Sequence, residues 1–176
     1  MKASFATTDE LIDLLTYVVE DVSQRFDKWD SQYVRGPSLY FVVAAGARFD
    51  GYADPLGVNR WPVDTARVVS RNLDPVITAA EEIAFDCDGA VIVTTDGTFQ
   101  ERMVRIRPAD GLDIGQIEYP DWMSAKHLSA LEVSSLDAIL AAVTLSEENG
   151  RVSVFKDGEF EDYKREELGG RWRVNG

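Results

Sequence analysis

Residues 85–97 read FDCDGAVIVTTDG, and their centre, AVIVTT at 90–95, predicts a buried strand because apolar or β-branched residues occupy both faces. A helix predicted from Pro75 to about Ala84 precedes this strand. A second apolar run, SLYFVVAAG at 38–46, predicts another buried strand. Buried strands that alternate with helices indicate a single α/β domain whose central mixed sheet is flanked by helices.

The rest of the chain alternates between helix patterns, strand patterns and turn residues. In chain order the other predicted elements are a helix from Thr7 to Asp27 with a Thr7–Glu10 capping box, a loop at 47–63, a helix from Asp64 to about Asn72, a turn at Asp96-Gly97, a strand at 99–106, a loop at 108–120, a helix from Ser124 to about Val133, a turn at 146–150 and a hairpin at 151–160. DAILAAVTL, 137–145, fits helix and strand equally well on periodicity. We divide the chain into an N-terminal helical segment, 1–35, a core domain, 36–160, and a polar tail, 161–176.

Charge and composition argue against several classes of protein. With 31 acidic and 18 basic residues, the net charge is −13. Because a negatively charged surface repels a phosphate backbone, we expect no nucleic-acid binding. No apolar run approaches the roughly 18 residues of a membrane span, and no signal pattern opens the chain, so we expect no membrane association. An acidic chain with only five lysines favours a salt-loving source over an ordinary acidic protein.

The cysteine and histidine content, together with the absence of common motifs, excludes several kinds of functional site. The single cysteine, Cys87, excludes an internal disulfide, which fits the cytoplasm, and is predicted to be a small buried apolar residue. The single histidine, His127, excludes a metal site built from several histidines. The chain also has no GxxxxGKS/T phosphate loop, no GxGxxG after a strand and no GxSxG nucleophile elbow.

Asp-Gly pairs occur five times in the chain, so a turn is the default interpretation of each pair. Asp88-Gly89 differs in position, because it follows a predicted helix and directly precedes a predicted strand, where no hairpin needs a turn. A carboxylate at such a junction lies near a sheet edge, where a metal or a hydroxyl can reach it. Asp88 is therefore a candidate functional residue, with the turn as the alternative.

Two further groups of polar residues have a possible function. Ser124, Lys126 and His127 open a predicted helix, where exposed amides favour an anion; the alternative is an ordinary capped helix. Glu147 and Glu148 follow an apolar run and could bind a hard divalent cation; the alternative is a solvated turn.

The order of these motifs resembles the diadenylate cyclase domain, the nucleotide-binding domain also found in DNA integrity scanning proteins. The family carries a DGA motif at a strand start, a G-T-R-H-R-type motif opening a helix, a Ser-Asp-Ala strand entry and an S-E-E-T-G turn. The matching residues here are Asp88-Gly89-Ala90, Lys126-His127, Ser135-Leu136-Asp137-Ala138 and Ser146-Glu147-Glu148-Asn149-Gly150. The resemblance covers roughly 36–160 and is that of an archaeal, halophile-type member.

The resemblance implies a mixed sheet flanked by helices and a reaction that joins two ATP molecules into cyclic di-AMP with release of pyrophosphate. Each domain would hold one ATP, and a transient homodimer would let each 3′-hydroxyl attack the other α-phosphate. Asp88 would orient or activate the 3′-hydroxyl beside Mg²⁺ or Mn²⁺. Glu148, or its neighbour Glu147, would be a further metal ligand.

The resemblance also implies which residues hold the nucleotide. Gly89 and Ala90 would lie against it, because glycine lets the backbone approach closely. Ser124, Lys126 and His127 would meet its phosphates at the helix start.

Two departures from the family motif bear on activity. Lys126 replaces the first arginine of R-H-R, which keeps the positive charge but cannot make the paired hydrogen bonds of a guanidinium. Leu128 replaces the second arginine, so that positive charge is absent. A nearby arginine, Arg102, Arg105 or Arg107, could compensate. The alternatives to an active cyclase are a non-catalytic domain that binds ATP or cyclic di-AMP, and a structural domain that keeps only the fold.

Overall fold

The computed structural model describes residues 7–31, 33–86, 88–107 and 124–168. The loop predicted at 108–120, the burial predicted for Cys87 and the last part of the predicted tail, 169–176, lie outside the described residues. The helices are α1 (Thr8–Arg25), α2 (Asp74–Ala84) and α3 (Ala125–Ser134), and the strands are β1 (Leu39–Ala44), β2 (Ala53–Arg60), β3 (Val91–Thr94), β4 (Arg102–Ile106), β5 (Ile139–Leu145), β6 (Val152–Lys156) and β7 (Glu159–Tyr163). Within the described ranges, every helix is too short or too polar to cross a membrane.

The main sheet has five strands in the order β3-β1-β5-β6-β7. Strands β1 and β3 are parallel, whereas β5, β6 and β7 join antiparallel, so the sheet is mixed. Strands β2 and β4 form a separate antiparallel pair, which an isolated bridge between Ala90 and Val104 links to the start of β3. The predicted mixed α/β architecture is confirmed.

Helices cover both faces of the main sheet. In β1, Phe41 and Val43 face the core that contains α1 and α2, whereas Tyr40 and Val42 face the core that contains α3. Side chains alternate between the faces of a strand, so a strand that is apolar at every position needs cover on both sides. Burial of all six β1 residues is the result.

Local sequence signals fix several boundaries. Thr7 caps α1, because its hydroxyl accepts the Glu10 amide at 3.1 Å, and α2 has proline in its first turn. The segment at 137–145, which periodicity left open, is strand β5, because it is hydrogen-bonded between β1 and β6 in the middle of the sheet. The hairpin predicted at 151–160 is confirmed as β6–β7.

Two predictions between residues 47 and 72 are wrong. The predicted loop at 47–63 contains strand β2, whose partner β4 is about 45 residues away in the chain. The strand forms through this distant pairing, although its own residues are typical of turns. The predicted helix from Asp64 to Asn72 does not form, because its backbone pairs elsewhere: the Phe99 amide donates to the carbonyl of Arg67 at 2.9 Å. The indole of Trp61 also donates to the carbonyl of Ala66 at 2.7 Å and is buried there.

Two strand ends also differ from the prediction. The strand predicted at 99–106 begins only at Arg102 and pairs with β2, while just isolated bridges join this region to β3. Strand β7 continues to Tyr163, inside the predicted polar tail, and Leu168 beyond it is buried in the core.

Candidate functional site

One cleft collects the three predicted groups of functional residues. It has a volume of about 500 Å³, and Asp88, Ser124, Lys126, Glu147 and Glu148 all line it. The sheet topology explains the convergence, because β1 and β3 are parallel and begin at the same edge, where the antiparallel β5 ends. Motifs that are far apart in the chain therefore meet at one edge of the sheet.

The Asp88-Gly89-Ala90 segment forms the junction between α2 and β3. The Asp88 side chain is 85% exposed, and the amide of Asn59 donates to its backbone carbonyl at 3.0 Å. Gly89 has a φ of +112°, and a Cβ there would lie 2.7 Å from the Leu56 side chain. Any larger residue at position 89 would be strained and would enter the cleft wall, so glycine is required for this path of the backbone.

Lys126 lies in the first turn of α3 and connects the helix to the residue before β1 and to the end of β5. Its ammonium donates to the hydroxyl of Ser38 at 2.7 Å and to the carbonyl of Leu145 at 2.5 Å. Burial lowers the pKa of Lys126 to about 8, against the opposing effect of nearby Glu147. The cleft thus holds a partly desolvated cation whose charge changes near pH 8.

His127 does not line the cleft, contrary to the nucleotide contact that the family motif implies. It is only 1% exposed, and its Nδ1 accepts the backbone amide of Ser124 at 3.1 Å and lies 2.8 Å from the Ser124 hydroxyl. Burial, and then the charges of Lys126 and Arg151, lower its pKa to about 4. A neutral His127 therefore shapes the start of α3 from behind the cleft.

The buried imidazole makes stability depend on pH. The pKa of His127 is lower in the folded chain than in the unfolded chain, where it is about 6.5. The free energy of unfolding is therefore highest above pH 6.5 and decreases as the pH falls towards 4, because the unfolded chain binds the proton more tightly. We expect wild-type protein to lose about 2–3 kcal/mol of unfolding free energy over this range that His127→Gln does not lose. Urea unfolding of both proteins at several pH values measures the difference; parallel pH profiles would contradict the buried neutral imidazole.

Glu147 and Glu148 lie in the turn between β5 and β6 at the edge of the cleft. The guanidinium of Arg35 contacts Glu147 at 2.5 Å through Nε and approaches the carboxylate of Asp88 at 3.8 Å. The hydrogen bond to Glu147 raises the pKa of Arg35, so its charge is permanent. The sequence patterns do not single out Arg35; its only local signal is a position directly before Gly36-Pro37 at the entry to a buried strand.

The cationic residues around the cleft differ from those implied by the family motif. Of the three arginines proposed as substitutes, Arg105 lines the cleft, whereas Arg107 faces Asp54 at 3.7 Å. Arg102 and Leu128 are not among the described lining residues. Among the described lining residues, Arg35, Arg105 and Lys126 supply positive charge.

The carboxylates fit a metal that arrives with phosphate rather than one held by protein alone. In the described part of the chain, no three histidine, cysteine or acidic residues are grouped closely enough to hold a metal ion. Asp88 and Glu147 are nevertheless close enough to share one guanidinium. Mg²⁺ commonly binds through one or two carboxylates and completes its coordination with substrate phosphates and water.

Apolar side chains also line the cleft. They belong to Tyr40, Leu56, Ala90, Val104 and Ile106. The Tyr40 hydroxyl lies 3.0 Å from the hydroxyl of Ser129, and burial raises the pKa of this phenol, so it stays neutral. A cleft lined by both charged and apolar side chains suits a ligand with an anionic part and a flat apolar part.

Comparisons with known proteins identify a curated relative and solved structures of similar fold. No family model matches the chain. The diadenylate cyclase of Methanocaldococcus jannaschii is 30% identical over 122 residues, which are 68% of this chain and 35% of that protein, so the chain spans about a third of the relative's length.

Solved structures show the same fold at low sequence identity. A hypothetical membrane spanning protein from Bacillus cereus matches with a TM-score of 0.57 and 15% identity, over 86% of this chain and 62% of its own. A double mutant of DacA from Staphylococcus aureus matches with a TM-score of 0.52 and 16% identity, over 90% of this chain and 89% of its own. The class is thus a single mixed-sheet α/β domain with a cleft at one sheet edge. The similarity to the curated relative supports the diadenylate cyclase family for this chain, and the solved structures show the shared fold.

Proposed function

We propose that this chain joins two molecules of ATP into cyclic di-AMP and releases two molecules of pyrophosphate. The observation that carries the proposal is the convergence of Asp88, the start of α3 and the Glu147–Glu148 turn on one cleft. Each of these segments matches a motif of the diadenylate cyclase domain in the sequence. The similarity to the cyclase of M. jannaschii, although it covers 35% of that protein, supports the same activity.

The charged and apolar groups that line the cleft suggest how ATP binds in it. The apolar side chains of Leu56 and Val104 suit the adenine, and the amides at the start of α3, with Lys126, suit the phosphates. Gly89 also lines the cleft, so its backbone can lie against the nucleotide. We assign the base to the apolar side chains, and the triphosphate to the start of α3 and Arg105.

The chemical step needs two domains face to face. In each half-reaction a bond forms between the 3′-oxygen of one ATP and the α-phosphorus of the other, and the α–β phosphoanhydride bond breaks, so pyrophosphate leaves. Asp88, exposed at the cleft, orients the incoming 3′-hydroxyl and accepts its proton. A transient homodimer places one ATP of each domain against the other.

A divalent cation is part of the proposal. Asp88 with Glu147 or Glu148 would hold Mg²⁺ or Mn²⁺ together with the phosphates. When bound, such an ion supplies charge neutralisation on the phosphates and lowers the pKa of a hydroxyl. The protein's own part is to position the carboxylates, the cations and the nucleotide. We place this activity in the cytoplasm; the salt-loving source stays a prediction.

Product formation tests the proposal directly. Purified protein is incubated with ATP and Mn²⁺ at low and molar salt, and cyclic di-AMP is measured by mass spectrometry. Cyclic di-AMP supports the proposal. A thermal shift with ATP or cyclic di-AMP in the absence of product supports the non-catalytic binding domain instead. If there is neither product nor a thermal shift, the structural domain is the alternative that is left.

The pKa of Lys126 predicts how nucleotide affinity depends on pH. Because Lys126 loses its proton near pH 8, the affinity for an unreactive ATP analogue should fall by about tenfold between pH 7.5 and 9.5. Lys126→Arg, which stays charged, should show no such fall, and Lys156→Arg, a control at an exposed position, should behave like wild type. Calorimetric titration across this range measures it; identical profiles for Lys126→Arg and wild type would contradict the assignment.

A further inference from the structure

Arg35 lies between two acidic residues that belong to different motifs. Its Nε contacts Glu147 at 2.5 Å, and its Nη2 lies 3.8 Å from Asp88. Both carboxylates line the cleft that we assign to the nucleotide. One guanidinium therefore balances two carboxylates at the position where a metal and a triphosphate would come together.

The main chain next to Arg35 is closely packed, while the Arg35 side chain is 67% exposed. Gly36, the next residue, packs so closely that a Cβ there would lie 2.2 Å from the ring of Trp29 and 2.8 Å from the carbonyl of Glu147. The side chain can therefore change partners without movement of the main chain. Its two present partners are the candidate metal ligands.

We infer that Arg35 exchanges partners when the cleft fills. In the empty cleft it holds Glu147 and Asp88; when a metal–triphosphate complex enters, Arg35 turns to the phosphates and leaves both carboxylates to the cation. This exchange rests on the proposed function, because it requires that the same cleft binds a triphosphate. It makes Arg35 a substrate-contacting residue and makes cation binding dependent on the polyphosphate.

Electrostatics favours this exchange. An exposed arginine–carboxylate pair is weak. A triphosphate, which has several negatively charged oxygens, therefore competes successfully with the carboxylates for the guanidinium. Without phosphate the guanidinium repels a divalent cation and occupies its ligands, so the metal alone binds poorly. With phosphate present, the same charge becomes attractive to the complex.

Two probes test the inference without requiring turnover. Free Mn²⁺ is measured by electron paramagnetic resonance in titrations with protein alone, and Mg²⁺–inorganic triphosphate binding is measured by calorimetry. The variants are Arg35→Gln, which removes the charge, and Arg35→Lys, which keeps the charge but loses the fork. Arg71→Gln is the matched control, because Arg71 is 71% exposed and pairs with Glu10 at 3.0 Å outside the cleft.

Arg35→Gln is expected to bind Mn²⁺ alone several-fold more tightly than wild type and to bind Mg²⁺–triphosphate about tenfold more weakly. Arg35→Lys should fall between the two in both measurements, and Arg71→Gln should match wild type. An unchanged Mn²⁺ affinity or an unchanged triphosphate affinity in Arg35→Gln overturns the inference. If both shifts occur but wild type makes no cyclic di-AMP, the partner exchange stands and the proposed cyclase activity fails.

Discussion

Asp88→Asn is expected to lower the rate of cyclic di-AMP formation by at least about 100-fold, because the amide keeps the shape of the carboxylate but cannot accept the proton of the 3′-hydroxyl. The Asp88 side chain is 85% exposed, so the free energy of unfolding should hardly change. Product is measured by mass spectrometry at saturating ATP and Mn²⁺. Thermal unfolding of the same preparation shows that the fold is retained.

A neighbouring carboxylate provides the control for Asp88. Asp86 is also exposed, lies two residues earlier and is not among the described residues that line the cleft. Asp86→Asn changes the net charge by the same amount, so any general effect of charge on ATP affinity should appear in both variants. A rate for Asp88→Asn equal to that of Asp86→Asn would remove Asp88 from the chemical step.

The candidate site could be predicted from sequence where a motif is local. Asp88-Gly89 departs from the ordinary use of an Asp-Gly turn, and Ser124 marks the start of a helix, so short windows of sequence contain the signal. The Glu147–Glu148 turn follows an apolar strand in the same way. Their convergence depends on strand order, which a single sequence does not specify; here the family resemblance supplied it.

Features that depend on distant contacts were not predictable from local patterns. Strand β2 forms because β4 pairs with it, although its own residues include Pro55 and Gly57, which are typical of loops. Arg35 becomes a site residue only because the turn that carries Glu147 folds against it. His127 matches a phosphate-binding motif, yet its side chain faces the core, a direction that motif spacing alone does not determine.

The turn that carries the glutamates is supported from behind by the end of α1. The hydroxyl of Ser23 donates to the carbonyl of Gly150 at 2.8 Å, and the indole of Trp29 donates to the carbonyl of Ser23 at 2.9 Å. Gly150 has a φ of +75°, and a Cβ there would lie 2.8 Å from the Ser23 hydroxyl and 2.9 Å from the Trp29 ring. The N-terminal helix therefore fixes the position of Glu147 through contacts that leave no room for a side chain at Gly150.

Gly150→Ala is accordingly expected to cost about 4 kcal/mol of unfolding free energy, from backbone strain and from overpacking together. Gly158→Ala isolates the strain, because Gly158 has the same φ of +75° but a Cβ there would meet its nearest neighbour, Ser135, at an ordinary 3.6 Å. That control should cost about 1–2 kcal/mol. Urea unfolding gives both values, and calorimetry should show weaker triphosphate binding only in Gly150→Ala, since its turn carries Glu147. Equal losses of stability in the two variants would mean that α1 does not hold the turn as closely as the structure indicates.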